Sequence, residues 1–300
     1  MKIRDSNFEL LRIVAMLMVV LLHMNVFVLG GVNNNSVVNT PLTAGFRMFA
    51  DQLCCVCVNV FILISGRFGI RPTLKGAMSI AYQVLFYTLL LFTLGHIMGW
   101  DAPLRKVIHA FDYHTAYWFI SQYLLLYILA PALNAFVDNS DKKVIVSLLS
   151  GLFIFIFIFD WNVHWANLNG GYSVVQFAGL YILARYFSTR CTLPEKSACY
   201  WFLWYILMTI IPVIIGFVGL RFISFDLGKA QYSSPFVILS SVFLMLGFSR
   251  MKIQSPVINW FACSAFSIYL IHVNPLSAPW FKSGMLQVYE WDEGGTLFLL

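Results

Sequence analysis

Charge is scarce in this sequence. Only 11% of its 300 residues are Asp, Glu, Lys or Arg, where a soluble domain carries about 25%. A, V, I, L, M, F, W, Y and C make up 60%, and the mean hydropathy is +0.79. A water-soluble globular fold is thereby excluded. Long polar stretches are missing as well: no segment between apolar runs exceeds roughly 20 residues, too short for a separate soluble domain. There is no internal repeat and no low-complexity linker. The short alternating segments of a membrane β-barrel are absent, and the apolar runs are continuous. The 28 Phe, 14 Tyr and 9 Trp are too many aromatics for a disordered or coiled-coil chain. What remains is an all-α, polytopic transmembrane helical bundle, read as one membrane domain over 1–300.

Cysteine is sparse too, at six residues. Cys54, Cys55, Cys57 and Cys263 lie in apolar runs, and Cys191 and Cys199 flank one short loop. No second ligand pair follows Cys54-Cys55-Val56-Cys57 at zinc spacing, so these read as small apolar side chains and no metal is expected.

The apolar runs are Phe8–Gly31, Phe46–Phe68, Gly76–Trp100, Ala116–Val137, Lys143–Phe159, Ser173–Phe187, Ala198–Leu220, Ser233–Phe248 and Val257–Ala278. They predict about nine complete spans. The first is too long for a signal-peptide core, carries Arg12 and lacks a cleavage site, so it reads as a retained span. A tenth run starts after Gly295 and stops at Leu300, which reads as a last span cut short. With the N-terminus inside, Lys2, Arg4, Arg67, Arg71, Lys75, Lys142, Lys143, Arg185, Arg190, Lys196, Arg250 and Lys252 face inward. Arg105, Lys106, Arg221, Lys229 and Lys282 face outward. That bias predicts a cytoplasmic (inner) membrane protein with a cytoplasmic N-terminus. Trp100, Trp161, Trp165 and Trp280 then form an outer aromatic belt. The net charge of +6 reads as this bias and as contact with membrane lipid, not as a nucleic-acid signature.

Ionisable groups inside spans are costly and mark functional candidates. Arg12 and His23 are eleven residues apart, close to three turns, and so share one helix face about 16 Å apart. Glu9, one turn before Arg12, is placed to pair with it. His23 lies in the outer half of its span, and His272 lies at the same depth in the ninth. The pair reads either as two walls of one cavity or as separate interface histidines. Arg47 and Asp51, four residues apart, read as an intrahelical ion pair. His109, His114, Asp160 and His164 read as solvated loop groups. Arg67, Arg71 and Lys75 after the second span carry two readings: ordinary positive-inside charge, or a grip on a polyanion such as phosphates. Ser65 and Gly66 just before them permit close helix approach and a bend.

Four motifs together resemble integral-membrane acyltransferase family three, whose best known members O-acetylate surface polysaccharides. Asn7-Phe8-Glu9-Leu10-Leu11-Arg12, with ten residues before His23, resembles that family's first helix. Phe61-Ile62-Leu63-Ile64-Ser65-Gly66 resembles its second-span ending. Tyr117-Trp118-Phe119, with Tyr127 and Pro131, resembles its fourth span, and Ser267-Ile268-Tyr269-Leu270-Ile271-His272 its late-span motif. Two departures stand out: the arginines after the second span are four apart here, and members generally have at least ten spans.

The resemblance implies an acetyl-CoA-dependent O-acetyltransferase acting on a sugar hydroxyl of a cell-surface or lipid-linked glycan. It places His23 and Arg12 in the catalytic machinery and Arg67, Arg71 and Lys75 at the donor's nucleotide. Glu9, Ser65, Gly66, Trp118 and His272 fall in supporting positions. The chemistry agrees, since a sugar hydroxyl needs a general base and an imidazole titrates in the right range. The other function class is a secondary transporter or flippase with His23 and His272 as proton relays; such folds usually show repeated halves, which are missing here. We expect a thiol introduced by His109→Cys to be labelled from outside intact cells. Labelling only after membrane disruption contradicts the assigned topology.

Overall fold

The computed structural model describes residues 5–100, 103–110, 117–162 and 169–291. These form helices α1 (Ser6–His23), α2 (Asn34–Asn39), α3 (Pro41–Cys54), α4 (Cys57–Phe68), α5 (Leu74–Ile97), α6 (Leu104–Ala110), α7 (Trp118–Asn139), α8 (Lys142–Ile156), α9 (Val174–Thr189), α10 (Ala198–Ile223), α11 (Pro235–Ser249), α12 (Pro256–Ala262), α13 (Ala265–His272) and α14 (Ala278–Trp291). No strand occurs among the described residues. The protein is a helical membrane bundle, as its composition requires.

Helix starts follow the local chemistry. Side-chain oxygens of Thr73, Ser173, Ser197 and Ser255 accept from backbone N–H groups in the first turns of α5, α9, α10 and α12. Prolines open α3, α11 and α12, where a missing N–H does no harm.

Each of the nine apolar runs is mainly helical in its described part. Among the described residues, six helical stretches are long and apolar enough to cross a membrane: Ser6–Val28, Pro41–Phe68, Leu74–Ile97, Trp118–Asn139, Lys142–Asp160 and Ala198–Ile223. Pro235–Ser249 and Pro256–His272 are shorter apolar helices, and α9 has 16 residues. The ninth run is broken: α12 and α13 are separated by a turn at Cys263–Ser264. The segment after it, read as a loop, folds as α14. The run after Gly295 lies outside the described residues.

Helices α4 and α9 occupy the centre. Val60, Ile62, Leu63 and Ile64 of α4 and Phe177, Leu180 and Tyr181 of α9 are all buried. In lipid the hydrophobic effect does not hold helices together, so close backbone approach and buried hydrogen bonds must do so. Several buried polar side chains reach across the bundle. Asn7 Nδ2 donates to the Phe248 carbonyl at 2.9 Å. Asn59 Nδ2 and Gln176 Nε2 both donate to the Tyr232 carbonyl, at 2.9 and 3.0 Å. Gln52 Nε2 donates to the Gly228 carbonyl. The last three hold the loop between α10 and α11 inside the protein, although it reads as an ordinary connection in the sequence.

Gly66 is where α4 meets α9. A Cβ there would sit 2.5 Å from the Tyr181 carbonyl oxygen and 3.0 Å from Ala184 Cβ. Neither atom belongs to a flexible tip, so the helices must part to admit a methyl group. We expect Gly66→Ala to destabilise the bundle by about 1–3 kcal/mol, as overpacking does, visible as a lower thermal midpoint in detergent. An unchanged midpoint contradicts this packing.

Candidate active site

α1 presents the first candidates. The Arg12 guanidinium donates to Glu9 Oε1 at 2.8 Å, the pairing expected one turn apart. Arg12 and His23 both line a narrow cavity of about 320 Å³ between α1, α4, α7 and the α12–α13 pair. Its walls are apolar and aromatic: Met16, Val19, Phe61, Phe119 and Phe266 contribute, with Ser65 and Tyr123 among the few polar groups. Ser65 Oγ donates to the Phe61 carbonyl at 2.9 Å and lies 3.3 Å from the Tyr123 hydroxyl.

His23 also borders a second, wider cavity of about 960 Å³. Phe27, Ser121, Gln122, Asn169, Tyr172, His272 and Lys282 help to line it. His23, Trp118 and Tyr269 are common to both cavities and form the junction between them. Trp118 stands at the start of α7 and anchors an aromatic shelf. Its ring centroid lies 4.2 Å from that of Tyr172 and 6.0 Å from that of Tyr232. Burial raises the Tyr172 and Tyr232 phenols above the usual tyrosine range, so both stay neutral.

The two histidines expected at one depth touch. His23 Nδ1 lies 3.0 Å from His272 Nε2. His272 Nδ1 lies 2.8 Å from the Ile268 carbonyl oxygen, one turn back on α13. A carbonyl only accepts, so the proton of a neutral His272 sits on Nδ1 and its Nε2 is a bare acceptor. His23 must then donate from Nδ1. This leaves Nε2 of His23 as an unprotonated nitrogen on a ring at the junction of the cavities. The hydrogen-bond chain thus selects the tautomer that a general base requires.

Beyond His272 the chain is pinned by Asn274, which is fully buried. Asn274 Nδ2 donates to the Tyr117 hydroxyl at 2.7 Å, and that hydroxyl donates to the Leu270 carbonyl at 2.9 Å. Asn274 was not singled out from the sequence. An amide two residues past the histidine of an apolar run is the signal that was available. Trp100 and Trp280, placed by their sequence in one belt, lie with ring centroids 4.7 Å apart.

The three cations after the second span share an end of the bundle but not one setting. Arg67 ends α4 half-buried, its guanidinium 4.6 Å above the Phe8 ring centroid. Arg71, in the loop, and Lys75, in the first turn of α5, are exposed. Gly66 supplies the helix contact described above. At the opposite end two expectations are corrected. The Arg47 guanidinium turns to Asn25 and to carbonyls after α1, where an ion pair with Asp51 was expected. Asp51 Oδ1 is buried without a hydrogen-bond partner among the described residues. Asp160 is not solvated: it is 1% exposed, and its Oδ1 accepts from the Gly170 N–H at 3.0 Å. That partner lies ten residues on, at Gly170, which no local pattern signals. His109 on α6 is exposed as expected, while His114 and His164 lie outside the described residues.

No group of three or more His, Cys, Asp or Glu placed to hold a metal ion occurs among the described residues. A family model described as an acyltransferase domain matches residues 5–292. No curated protein and no solved structure matches the chain.

Proposed function

The chain belongs to acyltransferase family 3, and on that premise we propose that it moves a short acyl group, acetyl above all, from acyl-CoA to a sugar hydroxyl of a cell-surface or lipid-linked glycan. That the protein is a membrane acyltransferase follows from the family and the helical bundle. Donor, acceptor and residue roles are our reading. The observation that carries it is the position of His23, bordering a narrow apolar cavity and a wider one whose lining holds more polar groups, with its Nδ1 engaged by His272.

The narrow cavity suits the uncharged pantetheine arm of a CoA thioester. It runs from the Arg12 side, where the basic residues Arg67, Arg71 and Lys75 would meet the nucleotide phosphates. Its apolar walls keep water from the thioester. The wide cavity, with its shelf of Trp118 and Tyr172 and the amides of Gln122 and Asn169, suits a hydroxylated ring. In this scheme His23 Nε2 takes the proton of the acceptor hydroxyl as that oxygen attacks the thioester carbonyl. The C–S bond breaks, and the proton passes from His23 to the leaving thiolate, giving an ester and free CoA. The positive charge that develops on His23 is shared through Nδ1–H with His272. The cation bias supports a reading with Arg12 and the donor on the cytoplasmic side of the cytoplasmic membrane and the acceptor on the other.

Purified protein in nanodiscs, supplied with acetyl-CoA and a glycan, tests this by formation of acetyl esters. His23→Ala should lose about 10²–10⁴-fold in rate at matched expression, the usual contribution of a general base. His272→Ala should be milder. Orienting partners of metal-bound imidazoles are worth about 10–100-fold, and the same order is expected here. Near-normal esterification by His23→Ala overturns the assignment.

The donor end makes a separate prediction. Arg67→Ala with Arg71→Ala should raise the KM for acetyl-CoA, since each lost arginine–phosphate contact costs about 1.5–3 kcal/mol. An unchanged rate at subsaturating donor leaves these arginines as topology determinants only.

A further inference from the structure

We infer that Arg47 is a positioning residue for His23, acting by clamping the widened helical turn next to it. The inference rests on the reading of His23 as the base. Directly after His23, α1 opens into a π-turn over Met24–Val28. Leu29 N–H donates to the Met24 carbonyl at 3.1 Å, and Gly31 N–H to the Asn25 carbonyl at 3.0 Å. Such turns are rare and concentrate at functional sites. An extra residue in the turn rotates the residues beyond it by about 100° relative to a regular helix. Phe27 and Val28 are thereby brought to the wall of the wide cavity beside His23. The Phe27 ring packs with its centroid 5.0 Å from that of His23, on a ring that also contacts His272.

A widened turn at the end of a span leaves the Leu29 and Gly31 carbonyls beyond it in need of donors, and lipid supplies none. Arg47 of α3 supplies them. Its Nε donates to Asn25 Oδ1 at 2.6 Å. Its Nη2 reaches the carbonyls of Asn25, Leu29 and Gly31 at 3.4, 3.2 and 3.0 Å. Asn25, 1% exposed, returns a hydrogen bond from Nδ2 to the Arg47 carbonyl at 3.3 Å. The fork of a guanidinium can serve several acceptors at once; a lysine ammonium offers a single point charge on a flexible stem. An arginine kept inside a span for a surface ion pair would not need this geometry. One kept to hold the π-turn would.

The test uses the full chain in lipid nanodiscs with two readouts. The first is geometric and needs no activity. Thiols are placed by His23→Cys and His272→Cys, joined by a short bifunctional methanethiosulfonate, and the linked peptides are quantified by mass spectrometry. Adding Arg47→Ala should lower the linking yield several-fold, and Arg47→Lys should lower it less. The second readout is kinetic, on chains that keep both histidines. Arg47→Ala should lower kcat by about 10–100-fold, the scale expected for a misplaced catalytic group, with the KM for acetyl-CoA unchanged. If Arg47→Ala does not accumulate, Asn25→Ala and Arg47→Lys carry both readouts and should shift them in the same direction. Linking yield and kcat at wild-type levels overturn the inference, as does a loss confined to donor KM. Absence of any transfer by the unaltered protein would instead overturn the proposed function, and the linking yield would still decide the role of Arg47.

Discussion

A carbonyl oxygen can only accept a hydrogen bond, and the geometry around His23 depends on that fact. The Ile268 carbonyl sets the proton on one nitrogen of His272; His272 sets it on one nitrogen of His23; the remaining nitrogen of His23 stays bare. The chain works only if α1 and α13 hold their distance to within a few tenths of an ångström. Elements far from the histidines serve that end. Asn7 ties the start of α1 to the Phe248 carbonyl at the end of α11. The Ser255 N–H donates to Ser6 Oγ at 2.9 Å, anchoring α12 beside it. At the other end Asn274 and Tyr117 hold the end of α13, and Arg47 holds the turn after α1. Because lipid offers these groups no alternative partners, each bond is obligatory in a way that it would not be in water.

The same constraint shapes the two cavities. A bundle of apolar helices cannot enclose polar space without side chains that line and satisfy it. The narrow cavity needs few: Ser65 donates to the Phe61 carbonyl, which leaves its oxygen to accept from the Tyr123 hydroxyl. The wide one carries aromatic faces and amides instead, with neutral phenols close by. The loop that contributes Tyr232 to the lining of the narrow cavity is drawn inward by Asn59 and Gln176. The differing linings of cavities that share His23 are the physical basis for assigning a thioester to one and a hydroxylated acceptor to the other.

Much of this was legible from residue types and helical period. The eleven-residue step from Arg12 to His23 put both on one face, and both do line one cavity. Counting fifteen residues into the first and ninth spans put His23 and His272 at one depth. Glu9 found Arg12 because i,i+3 neighbours always can. What was not legible depends on backbone irregularity or on long-range partners. Periodicity assumes a regular helix, so the π-turn after His23 and the break at Cys263–Ser264 were invisible to it. Arg47 and Asp51 look like an ion pair because they are four apart, but the Asn25 side chain and three carbonyls, 16, 18 and 22 residues away, compete for the guanidinium and win. Asp160 looks solvated because nothing nearby in sequence announces the Gly170 N–H that meets its carboxylate. Ala278–Trp291 mixes Lys282, Glu290 and apolar residues too evenly to read as a span, yet it packs as a helix against the π-turn and α13.

The central claim is the order of protons along Ile268, His272 and His23, and imidazole nitrogen chemical shifts report it directly. The chain has six histidines, few enough to resolve in ¹⁵N spectra of labelled protein in bilayers, with His23→Gln and His272→Gln samples to assign the two signals. At a pH where the rings are neutral, both His272 and His23 should show the tautomer protonated on Nδ1, and replacing His272 should release His23 into a tautomer mixture. A His23 protonated on Nε2 in the unaltered protein would contradict the account, because the nitrogen offered to the acceptor hydroxyl would then carry a proton and could not serve as the base.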